Sequence, residues 1–111
     1  MEQYYAYLRE RKAMLLKEAE QLKAEDRADE SDLDKIRANI YDICGTVTKV
    51  HMDRPGGGKE ACRAQLERFR REWTAAGEKA AAHGDTKKAV IEEIKLEALA
   101  DAAAKLEEAL Q

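Results

Sequence analysis

The stretch LDKIRANIYDICGTVTKV, residues 33–50, decides the fold, because Leu33, Ile36, Ile40, Ile43, Val47 and Val50 recur there three and four residues apart. That alternation is the heptad spacing of a helix that lays one apolar seam along a partner. Gly45 could cap a helix C-terminus, and Thr46, Val47 and Thr48 are β-branched. The seam nevertheless runs through Val47 and Val50 without losing phase, so the stretch reads as one continuous helix. Just upstream, Asp26 to Ser31 is a polar turn. Ser31, followed three residues on by Asp34, reads as an N-cap in a near capping box, with Asp29, Glu30, Asp32 and Asp34 at the positive end of the helix dipole. A second helix is therefore predicted over residues 31–53, ended by Asp53-Arg54-Pro55-Gly56-Gly57-Gly58.

Working outward, a first helix over residues 2–26 carries Tyr4, Leu8, Leu15, Ala19 and Leu22 on one face, interrupted by Arg11, Lys12 and Glu18. A third, over 59–83, aligns Cys62, Leu66, Phe69, Trp73, Ala76, Ala80 and His83 and stops at Gly84. Asp85 then caps a fourth over 86–110. Its apolar residues Val90, Ile91, Ile94, Leu96, Leu99, Leu106 and Leu110 span roughly 240° of the helical wheel at about 100° per residue, wider than one bundle seam requires. Four long helices with short links predict an all-α, antiparallel up-down-up-down four-helix bundle, a single domain over residues 1–111. Sliding the chain by 58 residues aligns Leu8 with Leu66, Leu15 with Trp73, Leu33 with Ile91 and Ile36 with Ile94. Few positions are identical, so this reads as a packing pattern shared by two hairpins.

Composition limits the function classes. With 111 residues and 44% hydrophobic content, folding should bury roughly two thirds of the unfolded chain's surface, enough for a core without metal, disulfide or cofactor. A net charge of -3 and a pI near 5.5 argue against a general nucleic-acid binder, which relies on clustered positive charge. No apolar run reaches the roughly 20 residues of a membrane span, and the N-terminus lacks a basic-then-apolar signal. The expectation is a cytoplasmic protein with no membrane contact.

Candidate chemistry is sparse. His51-Met52-Asp53 and His83-Gly84-Asp85 invite a metal or acid–base reading. They fall at opposite ends of helices about 37 Å long, however, and a histidine at a helix C-terminus is already favoured by the dipole. Cys44 and Cys62 lack Cys-x-x-Cys spacing and read as reduced core residues. Pro55-Gly56-Gly57-Gly58-Lys59 resembles a phosphate cradle but fails its pattern, since Asp53 stands where the first glycine belongs and Glu60 replaces the hydroxyl residue. No acid, base and nucleophile share recognisable spacing, and the chain is not expected to be an enzyme.

Two readings remain, from different classes. The first is an association module forming a homodimer, or meeting another protein, through the broad face of helix 4 at Leu96, Leu99, Ala103 and Leu110. Arg63, Arg68, Arg70 and Arg71 on helix 3, against Glu92, Glu93, Glu97, Asp101, Glu107 and Glu108 on helix 4, permit charge pairing within or between chains. The second is a small-ligand or metal-binding bundle. Its site would lie at the end where topology gathers Tyr4, Tyr5, His51, Cys62 and Arg63, beside Tyr7 and Met52, an end that also suits a partner surface in the first reading.

Overall fold

The computed structural model describes residues 1–56 and 58–111. Four helices follow in order: α1 Glu2–Ala24, α2 Ala28–Met52, α3 Lys59–Ala82 and α4 Thr86–Leu110. They form an antiparallel up-down-up-down bundle. α2 runs unbroken through Gly45, whose position a Cβ would occupy 3.4 Å from Leu8 Cδ1. The glycine loop Pro55–Lys59 includes Gly57, which lies outside the described residues, so the anion-cradle reading of that loop lies partly outside them too.

The α1–α2 turn corrects the sequence reading. α1 ends at Ala24 and α2 begins at Ala28, three residues before the expected cap. The cause is a tight reversal at Asp26, which adopts a left-handed φ of 62°, so that the Arg27 N–H returns to the Leu22 carbonyl at 2.8 Å. With the chain already reversed, Ser31 falls inside the helix. It is buried, and its hydroxyl donates to the Ala19 carbonyl at 2.7 Å. The capping box does not form, because Asp34 is also buried and accepts from Arg37 Nη1 at 2.7 Å. At the other hairpin Asp85 caps as expected, its side chain accepting from the Lys88 N–H.

Helices α2 and α4 lie along the short diagonal. Each packs on its hairpin neighbour and on the other, whereas α1 and α3 occupy opposite edges, with no Cα atoms within 8 Å of each other among the described residues. The molecule is accordingly flattened, 47 × 34 × 19 Å. This arrangement explains the wide apolar arc of α4: it meets α3, α2 and α1, so Ile94, Ala98, Leu99, Ala102 and Leu106 are all buried within the chain. It also revises the α2 seam. Ile40 is buried, but Leu33, Ile36, Ile43 and Val47 are half-buried and Val50 is 53% exposed. The tightest face of α2 is instead the one carrying Ser31, Ala38, Tyr41 and Thr48. Those smaller or hydrogen-bonding groups accompany its extensive packing on α1.

The two hairpins share one geometry. A 58-residue shift carries α2 onto α4 end to end, and α1 onto α3 to within one residue. Buried Tyr4, Leu8 and Leu22 map to buried Cys62, Leu66 and Ala80. Asp34, Ile40, Tyr41, Cys44 and Thr48 map to Glu92, Ala98, Leu99, Ala102 and Leu106, every one of them buried. The turns match as well. Gly84 has φ 74° where Asp26 has 62°, and the Asp85 N–H reaches the Ala80 carbonyl at 2.8 Å, as Arg27 reaches Leu22. Buried Leu15, Ala19, Ser31 and Ala38 map to half-buried Trp73, Gly77, Ala89 and Leu96, so the pattern is an approximate pseudo-two-fold relating hairpin α1–α2 to hairpin α3–α4. No described helix is long and apolar enough to cross a membrane.

Candidate functional site

At the tyrosine end, topology brings the expected residues together, but it closes them. Tyr4 and Cys62 are 3% and 0% exposed, and both meet the buried Thr48 hydroxyl at 3.5 Å. Burial raises the Tyr4 pKa above the ordinary tyrosine value. It also pushes the Cys44 thiol up to about 12, with the nearby Cys62 adding to the effect, which is the reverse of what a reactive thiolate requires. Both cysteines are free. Tyr5 is half-buried on the α1/α2 face. Arg63 is engaged by Glu107 at 2.7 and 3.0 Å and by Glu60 at 2.6 Å. His51 is half-buried, with its Nδ1 enclosed and without a hydrogen-bond partner among the described residues. Its backbone carbonyl lies so near Gly58 that a Cβ there would sit 1.9 Å away. His83 is exposed at the opposite end. Among the described residues no group of three or more His, Cys, Asp or Glu side chains is placed to hold a metal ion.

A polar cluster that no single-helix pattern signals lies where α1, α2 and α4 meet. Tyr7 and Tyr41 each donate a 2.7 Å hydrogen bond to Asp101 Oδ2. Arg11 lies over the Tyr41 ring at 5.6 Å and Lys105 over the Tyr7 ring at 5.0 Å. Burial works to raise the Asp101 carboxyl, but the two tyrosine hydrogen bonds and the charges of Arg11 and Lys105 together hold it below its ordinary value. Burial and the bond to Asp101 push Tyr41 up to about 12. Arg11 and Asp101 read as surface charges when each helix is taken alone.

The open surfaces are grooves between helices. One, about 570 Å³, runs between α3 and α4. Its floor is Leu66, Leu96, Leu99, Ala103 and Leu106, and its rims carry Arg63, Glu67, Arg70 and Glu107. The expected interface residues divide here. Leu96 and Ala103 are half-buried and face the groove, Leu110 is half-buried beyond it, and Leu99 is 2% exposed and belongs to the chain's own core. No family model, curated protein or solved structure matches the chain. The groove must therefore be interpreted from its own chemistry, and the pseudo-two-fold supplies an internal comparison.

The counterpart groove, about 420 Å³ between α1 and α2, is lined by Tyr5, Leu8, Arg9, Lys12, Tyr41, Asp42, Gly45 and Lys49 among others. Its mouth is bridged by Lys12 Nζ and Asp42 Oδ1 at 3.0 Å. The 58-residue shift maps Lys12 to Arg70 and Asp42 to Ala100. The cation is retained in the α3/α4 groove and the carboxylate at the Asp42 position is missing, although Arg63 and Glu107 join the two rims further along at 2.7 and 3.0 Å. Arg70 turns back along α3 to Glu67, and the groove stays open over Ala100 and Ala103.

A second apolar surface follows the half-buried α2 seam. Ile36, Ile40 and Ile43 line a depression of about 530 Å³ with Trp73 and Ile91. Phe69 and Trp73 stack there with centroids 5.1 Å apart, and Lys95 Nζ lies 4.5 Å over the Trp73 ring. These aromatics, aligned on the third helix's seam in the sequence, pack against the core while remaining half-buried.

Proposed function

We propose that this protein is a non-enzymatic association module, and that it forms a homodimer through its α3/α4 face. The observation that carries the proposal is the open apolar groove between those helices, with half-buried Leu96 and Ala103 inside an arginine and glutamate rim. Apolar floor within charged rim is the anatomy of a protein-binding surface, in which exclusion of water from the centre stabilises and the rim sets partner choice. Ala100 and Ala103 leave room for another helix to approach closely. A two-fold pairing uses one patch twice and closes at two subunits.

The test is the solution mass of the wild type and of Leu96→Glu across a wide concentration range. Leu96 is only half-buried, so its variant should fold with unchanged circular dichroism while losing the dimer. If the wild type has the mass of one chain at every concentration, the proposal is wrong.

A further inference from the structure

The pseudo-two-fold shows that the α3/α4 groove, joined at one end by Arg63 and Glu107, lacks an acid at the position of Asp42. In the first hairpin the cation at the groove mouth, Lys12, meets a carboxylate of the facing helix, Asp42, at 3.0 Å. In the second hairpin the same frame places Arg70 opposite Ala100, a methyl group where the acid would stand. Arg70 is exposed, and its ion pair is with Glu67 on its own helix at spacing i,i+3, an arrangement that contributes little in water and yields readily to a better partner.

Charge is also divided between the two helices of this face. α3 carries six Lys and Arg against four Glu, and α4 carries four Lys against six Asp and Glu. Glu93 and Glu97 of α4 are exposed and lie within two turns of Ala100 along the helix. Two identical faces can meet with α3 over α3, which sets like charge against like. They can also meet with the two-fold axis along the helices, which lays α3 of each copy antiparallel along α4 of the other.

We infer that the partner of this groove is a second copy of the chain in the latter register, with Arg70 of each protomer paired to Glu97 of the partner subunit. This rests on the homodimer proposed above and specifies its geometry. The partner's carboxylate takes the place that Asp42 fills in the first hairpin, and Ala100 and Ala103 are small because the partner's α3 lies against them. Complementary charge across the rim then fixes the register and makes the association weaken with salt.

The experiment is sedimentation equilibrium on the full chain at low and high salt, with the variants Arg70→Glu, Glu97→Arg and an equimolar mixture of the two. Both residues are exposed, so both variants should keep the wild-type melting profile. Each alone sets like charges opposite each other twice per dimer and should raise the dissociation constant about tenfold or more. The mixture forms two restored pairs in a heterodimer and should recover wild-type affinity. If the wild type dimerises and Leu96→Glu abolishes it, but neither charge reversal changes affinity, the register is overturned and the groove reading stands. If the singles weaken association and the mixture does not recover it, the pairing is likewise overturned. A wild type that remains a single chain overturns the groove reading itself.

Discussion

Asp101 ties three helices together through one carboxylate oxygen. The hydroxyls of Tyr7 on α1 and Tyr41 on α2 both donate to it at 2.7 Å, and bonds to a charged acceptor are stronger than neutral ones. Asp101→Asn keeps the shape and removes the charge, and should cost about 1–2 kcal/mol in urea unfolding, allowing for partial exposure of the site. The same carboxyl predicts a pH dependence. Its pKa is lowered in the folded protein, so its stabilisation is complete above the unfolded value, about 3.9, and is lost as pH falls through the lower folded value. Melting temperature should therefore drop below about pH 4, and Asp101→Asn should flatten that drop. A slope unchanged by the substitution would show that other carboxylates govern acid unfolding. Tyr41 acts at the alkaline end, since its pKa is raised to about 12 in the folded state. Its contribution is intact below the ordinary tyrosine value near 10 and declines as pH rises beyond it. Tyr41→Phe should remove part of the alkaline decline seen by circular dichroism.

At the scale of elements, the two hairpin turns are the same structure built from different residues. Gly84 adopts φ 74° without penalty, whereas Asp26 holds φ 62° with a side chain attached. Asp26→Gly should stabilise by about 0.5–1 kcal/mol and Gly84→Ala should destabilise by a similar amount in thermal melts. Opposite signs would mean that the side chains, and not the backbone, determine these turns. Gly58 gives a sharper case, because any Cβ there would lie 1.9 Å from the His51 carbonyl oxygen. Gly58→Ala must displace the end of α2 and should cost several times more than Gly84→Ala. The turns also show how far the sequence could be read. Helix number, order and most bounds follow from seams and punctuation, and the continuity of α2 through Gly45 follows from its phase. The start of α2 was not legible. A left-handed aspartate carries no composition signal comparable to Gly84, so Ser31 looked like a cap when it is a buried donor to Ala19. The burial of Asp34 and Glu92 was hidden for a related reason, since a charged residue in a helix reads as solvent-facing unless its i,i+3 partners, Arg37 and Lys95, are considered with it.

At the scale of the whole molecule, the flattened cross-section follows from placing α2 and α4 together on the short diagonal. That placement buries Ile94, Leu99 and Leu106 of the wide apolar arc of α4, so the arc by itself is weaker evidence of a partner than it is when read from sequence. Leu99, one of the expected contact residues, is core. What survives is the groove beside it, where Leu96 and Ala103 remain accessible and where Ala100 stands at the position of the first hairpin's Asp42. The two leucines should therefore respond differently to charge. Leu99→Glu buries an unpaired carboxylate and should unfold the chain at ordinary temperature, whereas Leu96→Glu should leave a folded monomer. The sequence gathers Tyr4 and Cys62 at one end by topology alone, but the closure there depends on the contacts of Tyr4 and Cys62 with Thr48, which lie on three different helices.

The central claim is association through the α3/α4 face, and the most direct measurement is the mass of the native protein by sedimentation equilibrium over a wide concentration range. The account predicts a species of about 25 kDa, twice the 12.5 kDa chain, that persists in the wild type and is lost in Leu96→Glu with the fold intact. A mass of one chain at all concentrations, or a dimer indifferent to Leu96→Glu, would contradict it.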